Sequence, residues 1–183
     1  FTNKKKIFDK FSFLNTINFF LNKKKISVLE VNYKNKNFHS RYSAKKRFYK
    51  YLIVNRTASL SLDKNRAWHI KSPLNTELMK KAAKLLEGTK DFSTYRSSSC
   101  SAESPIRTLE KVKILRRGNK ITIIFQSKSF LQQQVRSMVG CLKFVAEKKW
   151  DLKKFKFVLN SKKRINCAPP APARGLYLFK VNY

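Results

Sequence analysis

The chain has 183 residues, enough for one domain with a real core or for a domain and a half. Hydrophobic residues make up 42% and aromatics 13%, so burial can offset chain entropy and a disordered chain is excluded. Lys and Arg number 42 against 10 Asp and Glu, a net charge of +32 that repels itself in a folded state unless a polyanion absorbs it. An AT-rich coding genome would also raise Lys, and membrane surfaces attract cations. Genome bias does not explain the scarcity of acids, however, and no apolar run approaches membrane-spanning length. Nucleic acid is therefore the expected partner.

The opening FTNKKKIF has neither the apolar stretch nor the cleavage site of a signal peptide, and its first residue, Phe rather than Met, suggests a fragment. Phe11, Leu14, Ile17, Asn18 and Leu21 recur at helical spacing behind Ser12 as a cap, predicting a helix over about 11–22. ISVLEVNY (26–33) reads as a strand and FHSRYSA as a loop. RFYKYLIV (47–54), aromatic and β-branched, is a strong strand. Asn75 or Thr76 starts a helix through Leu86 that Gly88 stops. The Ser-rich segment 89–105 resembles a linker, but its Phe92, Tyr95 and Arg96 argue for an ordered loop.

Residues 109–115 and 121–125 flank Arg117-Gly118-Asn119 as a β-hairpin. Leu131, Val135, Met138, Leu142 and Val145 form the stripe of a long helix, and Asp151 caps another through Phe155 and Leu159. Pro169, Pro170 and Pro172 exclude helix, and LYLFKVNY closes as a strand. The expected order is α-β-β-α-β-β-α-α-β, an α+β fold with a mainly antiparallel sheet covered by helices on one side. Cys100, Cys141 and Cys167, widely spaced and accompanied only by His39 and His69, make no zinc set and read as reduced thiols of a cytoplasmic protein.

Three clusters bear on chemistry. Phe38 to Ala44 running into Lys45–Tyr51 interleaves cations with aromatics, which suits phosphates and unpaired bases. The plain alternative is a core face backed by a solvated one. In FLQQQVRSMVG, residues Gln132, Gln133, Arg136 and Gly140 lie beside the apolar stripe, so Arg136 sits at the rim of a buried face and needs a carboxylate, phosphate or carbonyl. A surface arginine with a solvated head is the competing reading. Gly140 costs a helix about 1 kcal/mol against Ala unless a close approach requires it. DFSTYRSSSC with SPIRT could contact phosphate and sugar, and CAPPAPARGLYL could wall a pocket or merely connect.

FHSRYSAKKRFYKYLI, KDFSTYR with SPIRT, SFLQQQVRSMVG and APPAPARGLYL stand in the order and near the separations of TruA-type tRNA pseudouridine synthases, and the chain resembles that family along its length. The resemblance implies the pseudouridine synthase fold, a homodimer gripping tRNA, no cofactor, and isomerisation of uridines on the 3′ side of the anticodon stem-loop (positions 38–40). It implies that Tyr49 packs on the target base and takes the ring proton, that Arg136 pairs with the catalytic carboxylate, and that Leu176 lines the base pocket. Arg41, Arg96 and Arg107 match basic positions expected to meet tRNA. Gln132 and Gln133 replace a His pair of many relatives.

The family's nucleophile lies in an Arg-Thr-Asp-Ala-Gly motif, and none of Asp9, Asp63, Asp91 and Asp151 has that context. Residues 1–33 are accordingly expected to be a remnant of the N-terminal catalytic half and 34–183 the C-terminal RNA-binding and active-site domain. On that basis the fragment alone is inert and the intact protein an isomerase. The alternative is a non-catalytic RNA-binding relative, for instance a ribosome-associated subunit.

Overall fold

The aromatic and β-branched run KRFYKYLIVN forms β1 (Lys46–Asn55) and organises the sheet in the computed structural model of the protein, which describes residues 9–183. The chain divides into two units, Phe1–Ser40 and Arg41–Tyr183.

In the first unit, α1 (Lys10–Leu21) falls within one residue of the expected span, but Ser12 is not its cap. Asp9 is its cap, its two carboxylate oxygens accepting the amides of Phe11 and Ser12 at 2.9 Å each. The strand expected over 26–33 does not form. Asn18 satisfies the peptide of Val28 instead, donating to its carbonyl and accepting its amide, both at 2.9 Å. Ile26 and Leu29 are 61% and 89% exposed, so among the described residues this run, whose pattern shifts by one step after Val28, has no sheet face on which to be buried.

In the second unit six strands order as β2-β1-β5-β4-β3, with β6 also on β1. Here β2 is Trp68–Ile70, β3 Gly88–Asp91, β4 Ile106–Arg117, β5 Lys120–Ser127 and β6 Leu176–Asn182. On the edge away from β5, the first part of β1 pairs with β6 and its last three residues with β2. Only the β1–β2 pairing is parallel, so the sheet is mainly antiparallel as expected. Both β2 and β3 escape sequence reading. WHI is too short to show a period, and GTKD is a polar edge strand that exists because β4 offers it a ladder. Gly88 does follow the helix as a stop, and its φ of +99° turns the chain directly into β3.

Helices α2 (Thr76–Leu86), α3 (Gln134–Ala146) and α4 (Leu152–Asn160) carry Asn75 and Asp151 as caps of α2 and α4, as predicted. One sheet face is buried: Tyr51, Ile53, Leu109, Val112, Ile114, Ile121, Ile123 and Phe125 meet Met79, Leu86, Val135, Met138, Leu142 and Phe155 from the helices. A bulge between Leu109 and Lys111 lets Leu109 and Val112 share that face although they are three apart. The alternate residues Lys50, Thr122, Ile124 and Gln126 are only half-buried, so the fold is α+β with helices on one side. The 89–105 segment is ordered, anchored by Phe92 and Tyr95, both fully buried.

Asn55 ties β2 to this core. Its buried side chain donates to the carbonyls of Ile70 at 3.0 Å and Ser72 at 2.7 Å. Asn55→Ala leaves both carbonyls unpaired and is expected to destabilise the domain by about 1–3 kcal/mol. A shift in the urea midpoint at constant slope reads this.

Candidate functional site

Tyr49 and Tyr51 point to the helix-covered face of β1, because strand side chains alternate. Tyr51 is fully buried and its hydroxyl donates to the carbonyl of Pro172 at 2.7 Å. Burial pushes that hydroxyl's pKa well up, against the opposing pull of Arg136 and Arg174 beside it. Tyr49, two residues nearer the strand's start, is half-buried and stands edge-on to Phe130, ring centroids 5.1 Å apart at 84°. Across the ladder Leu176 lies opposite Tyr51 and Leu178 opposite Tyr49, so Leu176 and Tyr49 are diagonal neighbours on one face.

Arg136 reaches the same face from the first turn of α3. Its Nε donates to the carbonyl of Ala171 at 2.6 Å, while the amide of Ala171 donates to the carbonyl of Arg136 at 2.9 Å. The half-buried guanidinium makes no other hydrogen bond to the described residues, so its terminal nitrogens remain available. The proline segment comes this close because Gly140 allows it. A Cβ on Gly140 would stand 2.1 Å from the carbonyl oxygen of Pro169. The close approach that would justify a helical glycine is therefore present.

Gln132 and Gln133 do not lie on the helix as expected. Gln133 adopts a left-handed conformation (φ 65°) immediately before α3, and the side-chain oxygen of Gln134 accepts the amide of Leu131 at 2.8 Å to close the turn. This puts Gln132 outside, where its side chain accepts from Ser99 at 3.5 Å and its carbonyl accepts the amide of Ser97 at 3.0 Å.

Next to Tyr49 opens a hollow of about 620 Å³ lined among others by Arg41, Arg47, Arg107, Lys128, Phe130 and Gln132. Arg47 spans it, donating to the carbonyl of Lys128 at 2.5 Å and to that of Arg41. Arg41 stands over the ring of Tyr42 at 5.7 Å. Arg107 turns back on its own strand, donating to the carbonyls of Ser104 at 2.8 Å and Ile106 at 2.6 Å. Arg96 does not line the hollow but reaches the carbonyl of Ala102, which does, at 3.4 Å. Thus Tyr49, Arg41 and Arg107 line one hollow, whereas Leu176 and Arg136 do not line it: Leu176 lies diagonal to Tyr49 across the ladder and Arg136 stands beside Tyr51.

Arg47 belongs to the cation and aromatic cluster expected to meet RNA, whereas Phe130 and Lys128 were not singled out beforehand. Arg47 and Phe130 lie inside motifs that carry the family resemblance, whereas nothing in the local pattern marks Lys128. Asp9 caps α1, Asp63 pairs with Lys120, Asp91 with Lys162, and Asp151 caps α4, so no described aspartate serves Arg136. Among the described residues no three His, Cys, Asp or Glu side chains converge as metal ligands, and no helix is long and apolar enough to cross a membrane.

Residues 82–183 match the family described as tRNA pseudouridine synthase. The tRNA pseudouridine synthase A of Pelagibacter ubique (strain HTCC1062) is 58% identical over the whole chain, which spans 74% of that protein. That of Caulobacter sp. (strain K31) is 39% identical over 93% of the chain and 68% of its own length. The protein of the same name from Xanthobacter autotrophicus is 44% identical over 86% of the chain and 64% of its own length.

Proposed function

The chain belongs to the tRNA pseudouridine synthase family, and from that premise we propose that Tyr49, Arg136 and Leu176 form the base-handling part of an isomerase acting on uridines of the tRNA anticodon stem-loop. The observation that supports this is Arg136: its Nε is fixed on Ala171, it stands close enough to Tyr51 to act on that hydroxyl, and its terminal nitrogens have no partner among the described residues, while Leu176 pairs with Tyr51 across the ladder. The synthase name of relatives aligned along the chain disfavours the non-catalytic alternative.

The reaction breaks the N-glycosidic bond, turns the uracil and rejoins it through carbon. The base must first leave its stack, at a cost of a few kcal/mol that protein contacts offset. The ring of Tyr49, held edge-on by Phe130, receives the base face, and Leu176 closes the pocket so that the detached uracil is retained. A carboxylate acts on the nucleoside, and polypeptide beyond this chain supplies it, gripped by the free donors of Arg136 as a bidentate pair. The Tyr49 oxygen takes the proton that leaves the ring carbon. Arg41, Arg47, Arg107 and Lys128 line the way for phosphates. The reading includes a cytoplasmic enzyme working as a homodimer, and the chain without the carboxylate is inert.

The test is to incubate the full-length protein with an unmodified tRNA transcript and map pseudouridine by carbodiimide modification. Product on the 3′ side of the anticodon stem-loop is expected; no product, or product confined to other RNA, refutes the assignment. With six or more phosphate contacts, tRNA affinity should fall by about 10³-fold or more between ~50 and ~200 mM salt. A flat response in a filter-binding titration would assign the basic surface another use.

A further inference from the structure

Cys141 and Cys167, distant in sequence, bring their sulfurs within 3.5 Å. Cys141 lies on α3, fully buried; Cys167 follows the 3-10 turn Arg164–Asn166, is partly exposed and opens the proline segment. Arg164 stands beside them, its guanidinium donating to Ser137 Oγ at 2.7 Å, one helical turn before Cys141. Tyr95 packs close by, fully buried, with a hydroxyl that has no hydrogen-bond partner.

The surroundings make the two thiols unequal. The hydrogen bond from Cys141, outweighing burial and helped by the Arg164 charge, lowers the pKa of Cys167 below the usual thiol range. The same contact and burial push Cys141 up. The accessible sulfur is thus the readier thiolate, and the buried one holds the proton. Cys100 has no second thiol near it among the described residues.

We infer that Cys141 and Cys167 form an oxidation site, a dithiol that a hydroperoxide converts to a disulfide stapling the proline segment to α3. The Cys167 thiolate attacks the peroxide, breaking the O–O bond and releasing water or an alcohol, and becomes a sulfenic acid. The Cys141 sulfur then attacks Cys167, forming the S–S bond and expelling a second water. The two thiols together lose two electrons and two protons, which the peroxide takes up. The sulfurs must close from 3.5 Å to about 2.05 Å to form the bond.

The staple falls where the segment already meets the helix. Pro169 presses on Gly140, and Ala171 exchanges hydrogen bonds with Arg136. The bridge therefore anchors covalently the same six-residue stretch that positions Arg136. The inference rests on the thiol geometry alone and holds whether or not the proposed activity does. Thiols that serve only as core packing would be inert.

The experiment treats the full-length protein with a small excess of hydrogen peroxide, quenches in acid, alkylates in denaturant and maps peptides by mass spectrometry. A Cys141–Cys167 linked peptide is expected, both residues lost from the alkylated pool and restored by dithiothreitol. In Cys141→Ser the link disappears and Cys167 is trapped as a dimedone adduct; in Cys167→Ser, Cys141 stays unmodified. Full alkylation of both residues at a peroxide dose that already oxidises Cys100 would overturn the inference. So would linkage of either one to a different cysteine.

Discussion

Tyr49→Leu and Arg136→Ala, each in the full-length protein, are expected to cut pseudouridine formation by at least about 100-fold while tRNA affinity stays within a few-fold. The large loss follows from where the two side chains stand. Tyr49 lines a hollow, and Arg136, held by Ala171 and standing beside Tyr51, keeps terminal donors that have no partner among the described residues. In the proposed complex most of the affinity for tRNA would come from phosphate contacts, whereas the roles proposed for Tyr49 and Arg136 are to the base and the carboxylate. Arg136→Ala also removes the partner of the Ala171 carbonyl, which adds a stability cost of about 1–3 kcal/mol.

Arg136→Lys separates the two effects. It keeps the charge but cannot hold Ala171 and a bidentate carboxylate together, so turnover should stay low while the melting temperature recovers in part. Single-turnover rates at saturating tRNA, with gel-shift affinities alongside, provide the readout. Wild-type turnover in Tyr49→Leu or Arg136→Ala would refute the roles proposed for them.

Gly140→Ala is expected to destabilise the domain by about 1–3 kcal/mol even though alanine favours a helix by about 1 kcal/mol over glycine. The added Cβ would lie 2.1 Å from the Pro169 oxygen and 3.2 Å from its carbonyl carbon, both backbone atoms that no rotamer change can move aside. The proline segment must lift, and with it goes the paired hydrogen bonding between Ala171 and Arg136. Activity should therefore drop by more than the loss of folded protein explains. Thermal unfolding combined with turnover measured well below the midpoint tests this. A variant melting and turning over like wild type would mean that the segment does not bear on the helix.

Much of this was readable from local pattern. β1, α2, the β4–β5 hairpin, α4 and β6 announce themselves by period, cap and turn residue, all properties of a few neighbouring side chains. The four motifs nominated Tyr49, Arg136 and Leu176 through the family resemblance, and their roles are the ones proposed above. The misses share one cause. The 26–33 run has β-branched residues at strand spacing, with one step of offset, but pairs with no strand among the described residues, whereas GTKD and WHI show no such pattern and find partners in β4 and β1. Pairing across a sheet is a long-range event that a local pattern cannot report.

The chain by itself determined that the protein is a cationic α+β RNA enzyme of a recognisable family, because charge, periodicity and motif order are properties of the linear chain. Tertiary structure alone decided what surrounds those residues. The left-handed Gln133 moves Gln132 off the helix, Gly140 admits Pro169, Arg136 meets Ala171, and two cysteines separated in sequence lie sulfur to sulfur. Each of these is a contact between segments distant along the chain. Such contacts are set by close packing of the whole core, which the sequence encodes only collectively.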